Sequence, residues 1–398
     1  LFSKTGPIYI TANAGNHGYY FGGTSYGAPV YLGSYATSTV ARTSLTNTYL
    51  TTDATVSTSS AAVIFEADRF YSPSDERFVV QSSGDVSIKP RSANFITDAY
   101  VYAKMFGIGS LTVGNDNNPT FAARVLGEFY GTGPFRIYGS HVFTWGPFRT
   151  TGAGNPILFK SVFEQYHYNR SPGSGFYTND GDITFWTGSN GQTNNNSFVH
   201  IEDGINVVSA LPANQAMPNV NADFSLPSGY LTSSGGGDIV MGSGTSTDSL
   251  GPTGVLRTFS GSYMGFMYGT AGSLNTIYSG GGDIRVRASS AVSGPIGIGI
   301  RGGKSIIAGS GTIDLTVDTP SNINSRGMEL GHANAGNVRI YSSADENPAI
   351  KFEVRNPGTT GDAGILSGYH QNGTSNRISI QATGQGGVLM SASNNVNS

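Results

Sequence analysis

The chain has 398 residues, of which 57 are glycine and only 12% are charged, with a formal net charge of -3 and no cysteine. Glycine is about twice and charge about half the usual share, yet 37% hydrophobic residues, with 21 Phe and 21 Tyr, are too many for a disordered tract. The glycines keep no every-third-residue period, which excludes collagen, and runs of helix formers at a 3.6-residue period are missing, which leaves an all-β protein.

Short apolar-x-apolar strands recur along the chain, most of them introduced by a glycine turn. Gly6-Pro7 leads into Ile8-Tyr9-Ile10, Gly84-Asp85 into Val86-Ser87-Ile88, and Gly109-Ser110 into Leu111-Thr112-Val113. Gly181-Asp182, Gly237-Asp238, Gly282-Asp283 and Gly336-Asn337 introduce strands at Ile183, Ile239, Ile284 and Val338, and Arg377 precedes Ile378-Ser379-Ile380. Gly supplies a backbone freedom that the turn needs, Asp or Asn bonds its own backbone, and alternation puts both apolar side chains on one face. Ser-Gly-Gly-Gly-Asp-Ile recurs at Ser234 and Ser279, but the module spacing is too irregular for a solenoid of fixed coil length.

Texture divides the chain into three regions. Residues 1–125 form an N-terminal β region; residues 126–232 hold most large aromatics and read as a globular β domain. Residues 233–398 are Gly/Ser-rich and read as a β-prism or triple β-helix shaft, with the proline cluster between Leu211 and Pro227 as a linker. Strands this short bury little surface in one chain and leave unpaired edges, so the expected architecture is an intertwined homotrimeric fibre with β-sandwich, β-prism or triple β-helix segments.

Scattered Lys and Arg offer no stripe for phosphates, so no nucleic acid is expected as a partner. No stretch approaches 18 apolar residues, so membrane insertion is not expected, nor is a signal peptide visible, and a start at Leu1 suggests a fragment. Zero cysteine excludes disulfides and thiolate chemistry.

Cysteine-free, Gly/Ser/Asn-rich and punctuated by Gly-Asp-Ile strands, the chain resembles tailed-bacteriophage tail fibres and tailspikes. The resemblance covers most of the chain as an architecture and implies a homotrimer on the extracellular virion tail. It also implies other phage tail proteins as partners and attachment to a host glycan or outer-membrane receptor. Fibres similar to L-shaped and side tail fibres mature by losing a C-terminal intramolecular chaperone through cleavage just after a serine. Ser398 fits such a product end, and an arbitrary boundary fits it equally.

Attachment without chemistry is the leading expectation, through Trp145, Tyr166, Tyr168, Tyr177 and Trp186, with Asn194 and Asn195 in an Asn-rich loop. Aromatic rings pack on sugar C–H faces and Asn amides bond hydroxyls. Core packing explains each ring as well. The alternatives are a purely structural shaft or an enzymatic tailspike that cuts polysaccharide with two carboxylates drawn from Glu164, Asp180, Asp182, Glu202 and Asp203. The long regular β-helix pattern of many enzymatic spikes is not evident in the sequence. No cofactor and no metal are expected. The six His are dispersed, and the Asn/Asp clusters at Asn115–Asn118 and Asn179–Asp182 lack the spacing of a calcium loop. The Gly297–Ser305 stretch misses the phosphate-loop spacing by one residue, and Gly23-Thr24-Ser25-Tyr26-Gly27 matches a hydrolase elbow only by chance composition.

Overall fold

The structure, a computed structural model, describes residues 83–90, 92–117, 119–171, 173–188, 197–202, 204–210, 235–244, 275–289, 304–318, 338–355 and 378–393, and separate strands elsewhere. No helix occurs among the described residues, so none is long and apolar enough to cross a membrane. The strands wind into a parallel β-helix with three strands per coil, and each strand pairs with its counterpart one coil on. Sheet I stacks Val86–Lys89, Leu111–Val113, Phe135–Gly139, Ile157–Ser161, Ile183–Thr187, Ile239–Ser243, Ile284–Ser289, Ile313–Asp318, Ile350–Arg355 and Val388–Ser393. Sheet II begins on Ala99–Ile108 and Ala123–Gly131 and continues through Val142–Trp145, Gln165–Tyr168 and Val199–Ile201. Sheet III runs through Pro147–Ala153, Gly175–Asn179, Asn206–Val208, Asn275–Tyr278, Lys304–Gly309, Val338–Ser342 and Ile378–Ala382.

Alternation makes one side of every strand a core position. Ile157, Ile183, Ile239, Ile284, Ile313 and Ile350 form one inward column of sheet I, all fully buried, and Phe159, Phe185, Met241, Val286, Leu315 and Phe352 form the next. Each such side chain contributes roughly 1.5–3 kcal/mol by leaving water. This corrects the expectation that one chain has too little interior: stacking coils closes a continuous apolar centre without a second copy. The described strands pair in parallel between coils of the same chain, apart from one antiparallel bridge, Asn179 to Ala210, rather than as a sandwich, a prism or an intertwined triple helix.

The objection from irregular spacing is also corrected. The corner before sheet I carries a ladder in which the Asp182 carboxylate accepts the Asp238 N–H across 56 residues, Asp238 that of Asp283 across 45, and Asp283 that of Thr312 across 29, each at 2.8 Å. Coil length varies because only the rung must keep register. The module's Asp therefore bonds the next coil rather than its own backbone. Burial pushes the Asp238 carboxyl above its usual range, with Asp283 and Asp182 adding to the rise and the Asp283 N–H opposing it. Gly181, Gly237, Gly282 and Gly311 stack beside this ladder, and on the preceding corner Thr178, Ser209 and Ser279 donate hydroxyls to the carbonyls of Gly181, Gly237 and Gly282.

Strand pairing runs without a break past both boundaries expected from texture, at 125/126 and 232/233. The proline cluster lies outside the described residues.

The core holds one polar knot. His167, fully buried, meets Thr144 Oγ1 at 2.7 Å through Nδ1 and Gln165 Oε1 at 3.4 Å through Nε2, inside a cage of Phe159, Phe176 and Phe185. The Gln165 amide donates to the carbonyls of Phe159 and Trp186 at 3.0 and 2.8 Å. Burial holds the His167 pKa well below its ordinary value, with His200 adding to the effect, so the folded chain keeps it neutral while the unfolded chain protonates it. His167 thus leaves stability intact above about pH 6.5 and lowers it as pH falls below that value, by up to about 1.4 kcal/mol per pH unit. Urea denaturation at pH 7 and pH 5 should show a smaller pH loss for His167→Gln than for wild type; equal losses would place the imidazole in water.

Candidate functional site on the outer face of sheet II

The outward positions of sheet II gather the aromatic side chains that sequence alone leaves dispersed. Tyr100, Arg124, Phe143, Tyr166 and His200 share one column, and Tyr102, Leu126, Trp145 and Tyr168 the next. Ordinary strand alternation puts them there: their neighbours Val101, Val125, Val142, Thr144, Gln165 and His167 take the inward positions. All but the buried Tyr102 are half-buried.

The rings pack on one another both between rungs and within a strand. Phe143 and Tyr166 stack at 5.4 Å and 2°, and Tyr166 and Tyr168 at 5.9 Å and 4°. Tyr102 meets Trp145 edge to face at 5.5 Å. The Arg124 guanidinium lies between rings, 4.2 Å from the Phe143 centroid and 5.2 Å from that of Tyr100, and bonds Asp98 at 3.3 Å. Because Phe143 and Tyr166 stack, the ring faces they turn to each other are covered.

The Lys and Arg side chains of this face are paired: Lys104 with Glu128 at 3.1 Å, Arg124 with Asp98, and Arg170 with Glu202 at 3.8 Å, while Glu164 lies 3.4 Å from His141 Nε2. Burial pushes the Tyr168 hydroxyl pKa up, Glu202 adds to the rise, and Arg124 and Arg170 oppose it, so the phenol stays a donor. A rigid, half-apolar surface with Tyr hydroxyls and paired cations suits an uncharged polyhydroxylated ligand.

Trp145, Tyr166 and Tyr168 are thus brought together, and the other sequence candidates are not with them. Tyr177 projects from sheet III, is 6% exposed, and its hydroxyl donates to the Gly173 carbonyl at 3.1 Å, so packing accounts for it. Trp186 lies on sheet I, with the Lys160 ammonium 4.2 Å from its ring centroid and its indole N–H donating to the Gly244 carbonyl at 2.5 Å. Asn194, Asn195, Asp203 and Ser398 lie outside the described residues, as does the Gly23–Gly27 elbow match.

The acids are engaged in structure. Asp182 belongs to the corner ladder, and Glu202 Oε2 accepts the Asn169 N–H at 2.7 Å. Asp180 is exposed with a positive φ of 61°, the turn geometry Asp tolerates. Among the described residues no three His, Asp or Glu groups are arranged to hold a metal. Ile298 and Ile300, in the stretch resembling a phosphate loop, are buried in a strand. Sequence reasoning missed Tyr100, Arg124 and His200, whose only signal is strand register. No family model, curated protein or solved structure matches the chain.

Proposed function

We propose that this chain is the receptor-binding part of a phage tail fibre that attaches reversibly to a neutral host-surface glycan through the outer face of sheet II. The observation that carries this reading is the column of Arg124, Phe143, Tyr166, Trp145 and Tyr168 on one face of a rigid β-helix. The virion location follows from the resemblance to tail fibres. Threefold assembly is a proposal on the same ground, because the closed core no longer calls for it. Several copies presented together would raise a weak single-site affinity through effective concentration.

A second reading, a polysaccharide-cutting tailspike, is favoured by the β-helix itself, the architecture that the resemblance associates with enzymatic spikes. Its acid would be Glu164, whose Oε2 is buried without a hydrogen-bond partner beside His141. Incubation with purified host polysaccharide separates the two. Adhesion predicts retention on the polysaccharide with no new reducing ends or unsaturated sugars. Trp145→Ala combined with Tyr168→Ala should weaken binding at least about tenfold, roughly 1.4 kcal/mol, while Trp186→Ala on sheet I leaves it unchanged. Equal losses from both would remove sheet II as the contact, and product formation abolished by Glu164→Gln would establish the enzyme.

A further inference from the structure

The corner leading into sheet II brings a hydroxyl, an imidazole and a carboxylate into one line. Ser140 and His141 precede Val142–Trp145, and Glu164 precedes Gln165–Tyr168 one coil on, so strand register sets His141 beside Glu164. Ser140 Oγ lies 3.0 Å from His141 Nδ1, and His141 Nε2 lies 3.4 Å from Glu164 Oε1. With a carboxylate opposite Nε2 the ring keeps its proton there, which leaves Nδ1 to accept from the Ser140 hydroxyl. Backbone bonds between coils hold each member: Ser140 N–H donates to the Phe121 carbonyl at 2.8 Å, Phe163 N–H to that of Ser140 at 2.7 Å, Ala123 N–H to that of His141 at 2.9 Å and Val142 N–H to that of Glu164 at 3.2 Å. The Phe163 ring packs against the imidazole at 5.0 Å. Asp98, at the same corner three coils before Glu164, shows what a purely structural carboxylate does here: it accepts the Ala122 N–H at 3.1 Å and Arg124 Nε at 3.3 Å. Glu164 takes no such donors. Its Oε2 is buried without a hydrogen-bond partner, a cost that stability does not explain.

We propose that this corner is a serine-type esterase site that removes small acyl groups from sugar hydroxyls, with Ser140 as nucleophile, His141 as general base and Glu164 as the carboxylate that positions the imidazole. Ser140 Oγ adds to the ester carbonyl carbon while its proton passes to His141 Nδ1, and the sugar hydroxyl leaves with that proton. Water then adds to the acyl-serine, gives a proton to the same nitrogen, and releases the carboxylic acid and free Ser140. The backbone N–H of His141, the residue after the nucleophile, has no acceptor among the described residues and is available to the oxyanion. Ester cleavage fits better than glycosidic cleavage because the latter needs two carboxylates and the line supplies one. Ser140 is 3% exposed and the His141 side chain 33%, so access is narrow and selects a short acyl group such as acetyl. The His141 and Phe143 ring centroids are 6.3 Å apart, which puts the corner at the rim of the aromatic face. Only the sugar as acyl carrier rests on the glycan reading; the chemistry of the corner does not.

The test uses the full chain with p-nitrophenyl acetate as substrate and diisopropyl fluorophosphate as a label located by mass spectrometry. Wild type should release p-nitrophenol above the buffer rate with saturation, turn over the butyrate ester at least about tenfold more slowly, and carry the phosphoryl adduct on Ser140. Ser140→Ala should lower kcat/KM at least about a hundredfold and abolish the adduct. Glu164→Gln should lower kcat about tenfold or more with KM unchanged, the split expected of a positioning residue, and both variants should keep the wild-type circular dichroism. Trp186→Ala on sheet I should match wild type. Turnover at the buffer rate, an adduct elsewhere than Ser140, or a Ser140→Ala chain as active as wild type each overturns the proposal. So do new reducing ends from a host polysaccharide without release of any carboxylic acid, which would return Glu164 to the polysaccharide-cutting role. The small ester makes no use of the aromatic face, so its turnover and retention on glycan succeed or fail separately.

Discussion

Phe159→Ala is expected to lower the unfolding free energy by about 3–5 kcal/mol, measured by urea denaturation. The ring is fully buried, with centroids of Phe176, His167, Phe185 and Phe148 at 4.8, 5.1, 5.4 and 5.6 Å. Neighbouring coils are held to one another by backbone hydrogen bonds, so the wall cannot fold into the space the ring leaves. The loss also removes a cage wall from His167. Leu158, the next residue, faces outward and is half-buried, and Leu158→Ala should cost less than about 1 kcal/mol. Comparable losses at 158 and 159 would contradict the inward and outward assignment on which the whole register rests.

Gly282→Ala should be the second large effect, a loss of about 3 kcal/mol or a failure to fold. A Cβ there would overlap the Gly237 carbonyl and approach the Asp238 nitrogen, backbone atoms of the preceding coil that cannot swing aside. The same peptide accepts the Ser279 hydroxyl, and the adjacent Asp283 holds Thr312. Displacing it would therefore strain two levels of the corner ladder. Gly387 supplies the contrast, since nothing lies within 4 Å of the position its Cβ would take; Gly387→Ala should leave the urea midpoint nearly unchanged. A tolerated Gly282→Ala would mean that the glycine column reflects turn preference rather than close packing between coils.

The strands at Val86, Leu111, Ile183, Ile239, Ile284, Val338 and Ile378 are legible from the Gly-Asp-apolar-x-apolar module, because alternation and turn chemistry are local properties. Ile313 escapes the pattern. Thr312 stands in the ladder position that Asp holds elsewhere, and a threonine there reads as an ordinary strand residue. The role of Asp182, Asp238 and Asp283 is half legible: their place in a turn is local, but their acceptors serve residues as many as 56 positions away. Trp145, Tyr166 and Tyr168 stand out by residue type, whereas nothing local separates them from Tyr177, which the third sheet buries.

Composition and alternation by themselves determined that this chain is all-β, that its strands are short, and which side chain of each strand is apolar. Those follow from covalent geometry and local turn preference. Only the tertiary structure decided that the strands stack on their own successors in one chain. Successive rungs pair in register although the number of residues between them varies, so hydrogen-bond register is preserved while sequence spacing is not. That register makes a column of Arg124, Phe143 and Tyr166 from three separate strands.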